Sequence, residues 1–175
     1  MATKKTDKND PIAHLSELIH GIKVTMMTTV EEDGGLRSRP MWTHDRDFDG
    51  ELWFFTHHHS PKVDEVERDH HVSLSYADPT RDRYVSVSGR AQLVRDKDKA
   101  RELWNPTLRA WFPEGLDDPE LALLCVKVTK AEYWDTPNSR MVQLVGFVKG
   151  VITGEPYRPG DNAKVNLDES GAPLH

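Results

Sequence analysis

Residues 52–76 read LWFFTHHHSPKVDEVERDHHVSLSY, and the fold turns on how this stretch is parsed. Leu52–Thr56 is an apolar, aromatic run of strand length. Ser60 followed by Pro61 marks a helix start, with Pro at its first position. The helix runs over Pro61–Arg68 and turns Val63 and Val66 inward. Val72–Ala77 is a second strand. A strand that ends in hydroxyls and a lysine at the mouth of a helix suits a phosphate. Hydroxyls donate hydrogen bonds, the lysine supplies charge, and the helix start adds N–H groups and the positive end of a dipole. Thr56, Ser60 and Lys62 are the candidates; an ordinary strand end and helix cap is the plainer account.

Upstream, Val24–Val30 is rich in β-branched residues and methionine. EEDGG at 31–35 supplies a hairpin turn with glycine for positive φ. Leu36–His44, LRSRPMWTH, is the returning strand, and Pro40 gives it an edge position or a bulge. DRDFDG at 45–50 turns the chain into Leu52–Thr56. At the start, Pro11 follows Asp10, a helix cap, and Ile12, Leu15, Leu18 and Ile19 share one face, so a helix closes near Gly21. Downstream, Tyr84–Val94 alternates as a long strand, with Gly89 marking a bulge or close backbone approach. Asp96 caps a helix running through Trp104. Residues 105–120 are mostly irregular, Leu121–Trp134 is a strand, and Arg140–Val151 offers a last strand or a short helix-to-strand piece. Residues 1–9 read as a flexible tail, 10–153 as one domain, and 154–175 as a disordered tail.

Hairpins and meanders with three short helices predict an antiparallel β-barrel of the mainly-β or α+β class. No GxGxxG supports a dinucleotide fold. The 175 residues are 37% hydrophobic and 30% charged, with a net charge of −6. One domain with its own core is expected. An acidic balance argues against nucleic acid or an anionic membrane as partner. No apolar run reaches the roughly 18 residues of a membrane span, and the polar start carries no secretory signal. A cytoplasmic protein is expected. Cys125, the single cysteine, lies in the apolar run LALLCVKV and reads as a buried small hydrophobe.

Three further groups bear on function. Arg37 and Arg39 alternate on one strand face, and paired guanidinium forks suit phosphate oxygens. Backbone freed near Pro40 and Met41 can meet a heterocycle. An exposed basic face is the plainer account of this segment alone. Among His57, His58, His59, His70 and His71, adjacent residues of an extended chain point to opposite sides. With neither HExxH nor CxxC present, no metal site is expected. Five tryptophans include Trp111 beside Phe112 in a Pro-rich segment, a core or interface plug or the wall of a flat ligand site. No acid, base or nucleophile stands out, so any redox chemistry falls to a cofactor.

The segments RSRPMW (37–42), LWFFTHHHSPKVDEV (52–66), the strand-and-helix run 71–104, AWFPEGLDDPELALLCVKV (110–128) and AEYWD (131–135) together resemble the pyridoxamine 5′-phosphate oxidase-like family of FMN-binding split barrels, in its general stress protein 26 branch. The resemblance implies a split β-barrel homodimer with FMN at the interface. It implies cofactor contacts from Arg39, from Pro40 and Met41 through their backbone, and from Trp42. Thr56, Ser60 and Lys62 are implied to hold the phosphate and ribityl chain, and Phe55 to belong to the cofactor site. Trp111 is implied to meet the flavin from the partner subunit, and Trp134 to lie near it. The true oxidases carry an Arg-Leu-His-x-Arg type sequence after their tryptophan; here Trp134 is followed by Asp-Thr-Pro-Asn-Ser-Arg140, without the histidine. Pyridoxamine phosphate oxidation is therefore not expected. An FMN-dependent oxidoreductase acting on a small molecule is expected instead. A non-catalytic flavin-binding stress or sensor protein is the alternative, as is a split barrel binding haem, a metal or F420.

Overall fold

A computed structural model describes residues 11–135, apart from 45 and 47, and a strand at 161–166. The elements in chain order are α1 (Pro11–Ile19), β1 (Val24–Val30), β2 (Leu36–Trp42), β3 (Glu51–His57), α2 (Pro61–Arg68), β4 (His71–Asp78), β5 (Arg83–Val94), α3 (Lys97–Leu103), β6 (Leu121–Asp135) and β7 (Asp161–Asn166). Two short 3₁₀ turns, Pro106–Ala110 and Gly115–Asp117, shape the otherwise irregular stretch before β6. All strand pairs are antiparallel, in the order β2-β1-β4-β5-β6-β3. This curled sheet is a split β-barrel.

Local chemistry explains the elements. Gly34 takes φ +83° in the β1–β2 turn, and Glu31 N–H donates to the Gly35 carbonyl to close it. Pro40 sits in β2, the terminal strand, in unbroken register with Met26, so its missing N–H is an edge feature and not a bulge. β2 ends at Trp42, two residues short of the expected His44. Asp96 caps α3 by accepting from the N–H groups of Asp98 and Lys99. At Gly89 the register of β5 and β6 slips, and the extra residue is Thr129 on β6. A Cβ on Gly89 would lie 2.6 Å from the Lys127 carbonyl oxygen. The close approach is why glycine stands there.

The core fills the inside of the sheet. Met27, Leu74, Val87, Leu124 and Val126 are fully buried, and Leu15 and Leu18 of α1 close one end. β6 also packs on its other face, where Leu123 meets Ala100 and Leu103 of α3. A strand buried on both sides accounts for the unbroken run LALLCV. Burial, with Glu51 nearby, pushes the Cys125 thiol up to about 12.

The C-terminal region departs from expectation. Residues 154–175 read as a tail without structure, yet Asp161–Asn166 forms β7 and pairs with Lys130–Asp135 of β6. The segment is too short and polar to announce itself; its partner supplies the ladder. The expected strand at Arg140–Val151 lies outside the described residues, as does the Asp10 cap. No helix among the described residues is long and apolar enough to cross a membrane.

Candidate functional site

The site forms where the start of α2 meets β1 and β2. Alternation turns Arg37, Arg39 and Met41 to the α2 side of β2, and Leu36, Ser38, Pro40 and Trp42 to the opposite face. Met41 ends in the core, 5% exposed. Arg39 is largely covered. Its Nη1 donates to Thr29 Oγ1 (2.7 Å) and its Nη2 to Glu65 Oε2 (2.5 Å). Thr29 in turn donates to Glu65 Oε2 (2.5 Å).

Lys62 stands one turn before Glu65 on α2 and is half-buried. Burial and the Arg39 guanidinium push its pKa below that of an ordinary lysine, while Glu65 pulls the other way. Among the described residues it forms no ion pair within the usual contact distance. The fold therefore draws two cations together and leaves one without a direct counter-charge, an arrangement that suits an external anion. Thr56, buried, shares a hydrogen bond with Ser60 (Oγ1···Oγ 3.1 Å). Ser60 holds the N-cap position of α2, but its hydroxyl does not cap the helix; Thr56 takes it instead.

The remaining predicted residues divide. The Phe55 side chain points away from Thr56 and packs against Trp104 (5.7 Å between ring centroids) and Phe112 (6.1 Å). Trp42 and Trp111, both exposed, lie 5.7 Å apart in the same chain. Trp134 pairs with Tyr84 across β5 and β6, four strands along the sheet from β2. The histidine turn is occupied otherwise. His57 stacks on Phe112 (4.6 Å), and His59 lies 3.9 Å from Glu120. Among the described residues no group of three or more His, Cys, Asp or Glu is placed to hold a metal ion.

Sequence reasoning missed Glu65 and Thr29. In PKVDEVER, Val63 and Val66 define the inward face, and Glu65 reads as solvated. The available signal was two arginines on one strand face with one acidic residue near them in the hairpin, Glu31, which reaches Arg37 at 3.7 Å.

A separate cavity of about 560 Å³ lies beneath the β2–β3 connection, lined by His44, Arg46, Phe48, Trp53, Tyr76 and Glu102 among others. None of the predicted ligand residues lines it, and its Arg46 and Lys99 are already paired. Arg46 pairs with Glu102 at 2.5 Å, and Lys99 with the same carboxylate at 3.2 Å. It lacks the unmatched cation that marks the α2 site.

A family model described as pyridoxamine 5′-phosphate oxidase like matches residues 10–158. Protein bli-3 of Neurospora crassa is 34% identical over 155 residues, 83% of this chain and 74% of its own. A general stress protein 26 from Jannaschia sp. CCS1 shares the fold with TM-score 0.71 at 22% identity, over 86% of this chain and 94% of that one. The general stress FMN/FAD binding protein from Xanthomonas citri aligns with TM-score 0.64 at 27% identity, over 73% and 89%. With the family model spanning most of the chain and the split barrel shared, this protein belongs to the pyridoxamine 5′-phosphate oxidase-like family.

Proposed function

We propose that this protein binds FMN and works as a flavin-dependent oxidoreductase of the general stress protein type on a small molecule. The observation that carries the reading is the half-buried Lys62 beside Arg39, short of a counter-charge, at the start of α2. The donor set fits a phosphate monoester. Lys62 and the free edge of Arg39 supply charge, Ser60 and Thr56 supply hydroxyls, and the first turn of α2 supplies N–H groups. Beyond the phosphate, one edge of β2 carries no partner strand among the described residues, and there Pro40 and Met41 offer backbone to a flat heterocycle. Round that edge, on the face opposite the phosphate donors, Trp42 and Trp111 supply aromatic surface. FMN, when bound, supplies hydride and one-electron chemistry. The chain's own residues orient it, exclude water and hold positive charge nearby.

The functional unit is a homodimer. Strand register places Val24 and Met26, Leu36 and Trp42, Tyr84 and Trp134 on one continuous outer face, and all six are exposed. An apolar face of this kind suits a second copy, which also brings a Trp134 toward β2 that its own chain holds four strands away.

Absorbance titration with FMN, FAD and F420 tests the reading. Saturable FMN binding at one per chain, followed by bleaching with a nicotinamide donor, is the expected result. FMN binding without turnover points to a non-catalytic flavin carrier or sensor. Binding of F420 alone, or of no flavin at micromolar concentration, overturns the cofactor assignment.

A further inference from the structure

Glu65 is the one charged residue buried among those described, 5% exposed on a helix whose other acidic residues face solvent. A carboxylate in that position costs stability unless it is matched on every side. Its matching is specific. Oε2 accepts from Thr29 on β1 and from Arg39 on β2, and Oε1 lies 3.9 Å from Arg37 Nη1. Thr29 spends its single proton on Glu65 and its lone pair on Arg39, so three side chains from three elements close a ring. The ring engages two of the five N–H donors of Arg39. The side chain remains 16% exposed, so part of the guanidinium, with donors the ring does not use, stays open.

We propose that Glu65 and Thr29 are positioning residues for the cofactor phosphate, clamping Arg39 by one edge so that its remaining donors are aimed at the anion. This rests on the flavin reading of the same site. A fork held in one plane loses little freedom on binding. Unclamped, Arg39 swings to solvent on the terminal strand, and Lys62 is left to hold the phosphate alone.

The test uses the full chain with Glu65→Gln and Thr29→Val. The second keeps volume and removes the shared hydroxyl, so it covers the case in which the first folds poorly. Two readouts are taken below the unfolding temperature of each variant: FMN affinity, and the rate at which phenylglyoxal labels Arg39 without flavin, read by peptide mass. The expected result is FMN affinity weaker by about tenfold, the size of one misaligned charge-assisted bond, together with several-fold faster labelling. A lowered melting temperature with FMN affinity within about twofold of wild type overturns the proposal, since the ring is then only structural. Faster labelling with unchanged affinity also overturns it. Should wild type bind no flavin, the flavin reading fails by itself. The labelling rate then still reports on the clamp: faster labelling in both variants keeps it for another phosphate ligand, tested with inorganic phosphate, and an unchanged rate sinks it.

Discussion

The two faces of the β1–β2 hairpin depart in part from the usual pattern of apolar inside and polar outside, although Met27 and Met41 keep to it in the core. On the side toward α2 lie Thr29, Arg37 and Arg39, bound to a buried glutamate. On the other side Val24, Met26, Leu36 and Trp42 stand in the open. Both arrangements are costly in an isolated chain, and each is relieved by something added. The charged side asks for an anion, and the apolar side asks for another protein surface. One hairpin thus carries the ligand site and the proposed dimer contact back to back, separated by the thickness of a single sheet.

The sharpest way to break the charged side is Lys62→Ala with Ser60→Ala. Two charge-assisted contacts of about 1.5–3 kcal/mol each are lost, and FMN titration should show affinity falling by about 3–6 kcal/mol. Next in size, Glu65→Ala removes a buried partner and releases Arg39 to solvent. Urea unfolding should register about 1–3 kcal/mol of lost stability; a loss of about 3–5 kcal/mol would mean that Arg39 stays buried without its partner. On the apolar side, Met26→Asp places a charge in the middle of the exposed face. Dimer dissociation by sedimentation should ease by about 2 kcal/mol, the size of an interface hot spot, while the midpoint of monomer unfolding stays put. A monomeric wild type would refute the outer half of the comparison.

Acidity sharpens the charged half further. The groups facing Lys62 are Arg39 from β2 and Glu65 from its own helix. With burial they leave its pKa below the ordinary 10.5. Phosphate binding needs the protonated amine, so affinity is complete below that lowered pKa and is lost as pH rises through it. FMN affinity should hold through neutral pH, then drop by up to about tenfold per pH unit, beginning earlier than a solvent-exposed lysine allows. Lys62→Arg should flatten the decline. The smallest effect belongs to His58→Ala in the neighbouring turn, expected to shift FMN affinity by less than about 0.5 kcal/mol. A larger change would move the ligand toward the histidines.

Much of this was open to reading from sequence because it is local. Pro40 marks a terminal strand wherever it falls within one, and Gly89 marks crowding between backbones. The α2 limits follow from Ser60-Pro61 at one end and the charged Arg68-Asp69 at the other. What stayed hidden depends on partners distant in the chain. Glu65 becomes buried only because two arginines from β2 arrive above it. Ser60 gives up its cap because Thr56 lies within reach of its hydroxyl. Asp161–Asn166 becomes a strand because β6 has an edge left over beyond β3. For Glu65 and Ser60 the helix was correctly legible and the side-chain assignment was decided by tertiary contact, whereas for Asp161–Asn166 the strand itself was decided by its partner.

β6 has a further consequence, in the order of events as the chain is made. It pairs with β5 along its length, and with β3 and β7 in turn on its opposite edge. β3 is synthesised more than sixty residues before the one ladder partner it has among the described residues, with Glu51 waiting for Lys127 and His57 for Leu121. Until β6 leaves the ribosome, an apolar strand with aromatic side chains has no neighbour to occupy it. Closure of the sheet on that side therefore waits on one late, distant pairing, which predicts slow folding.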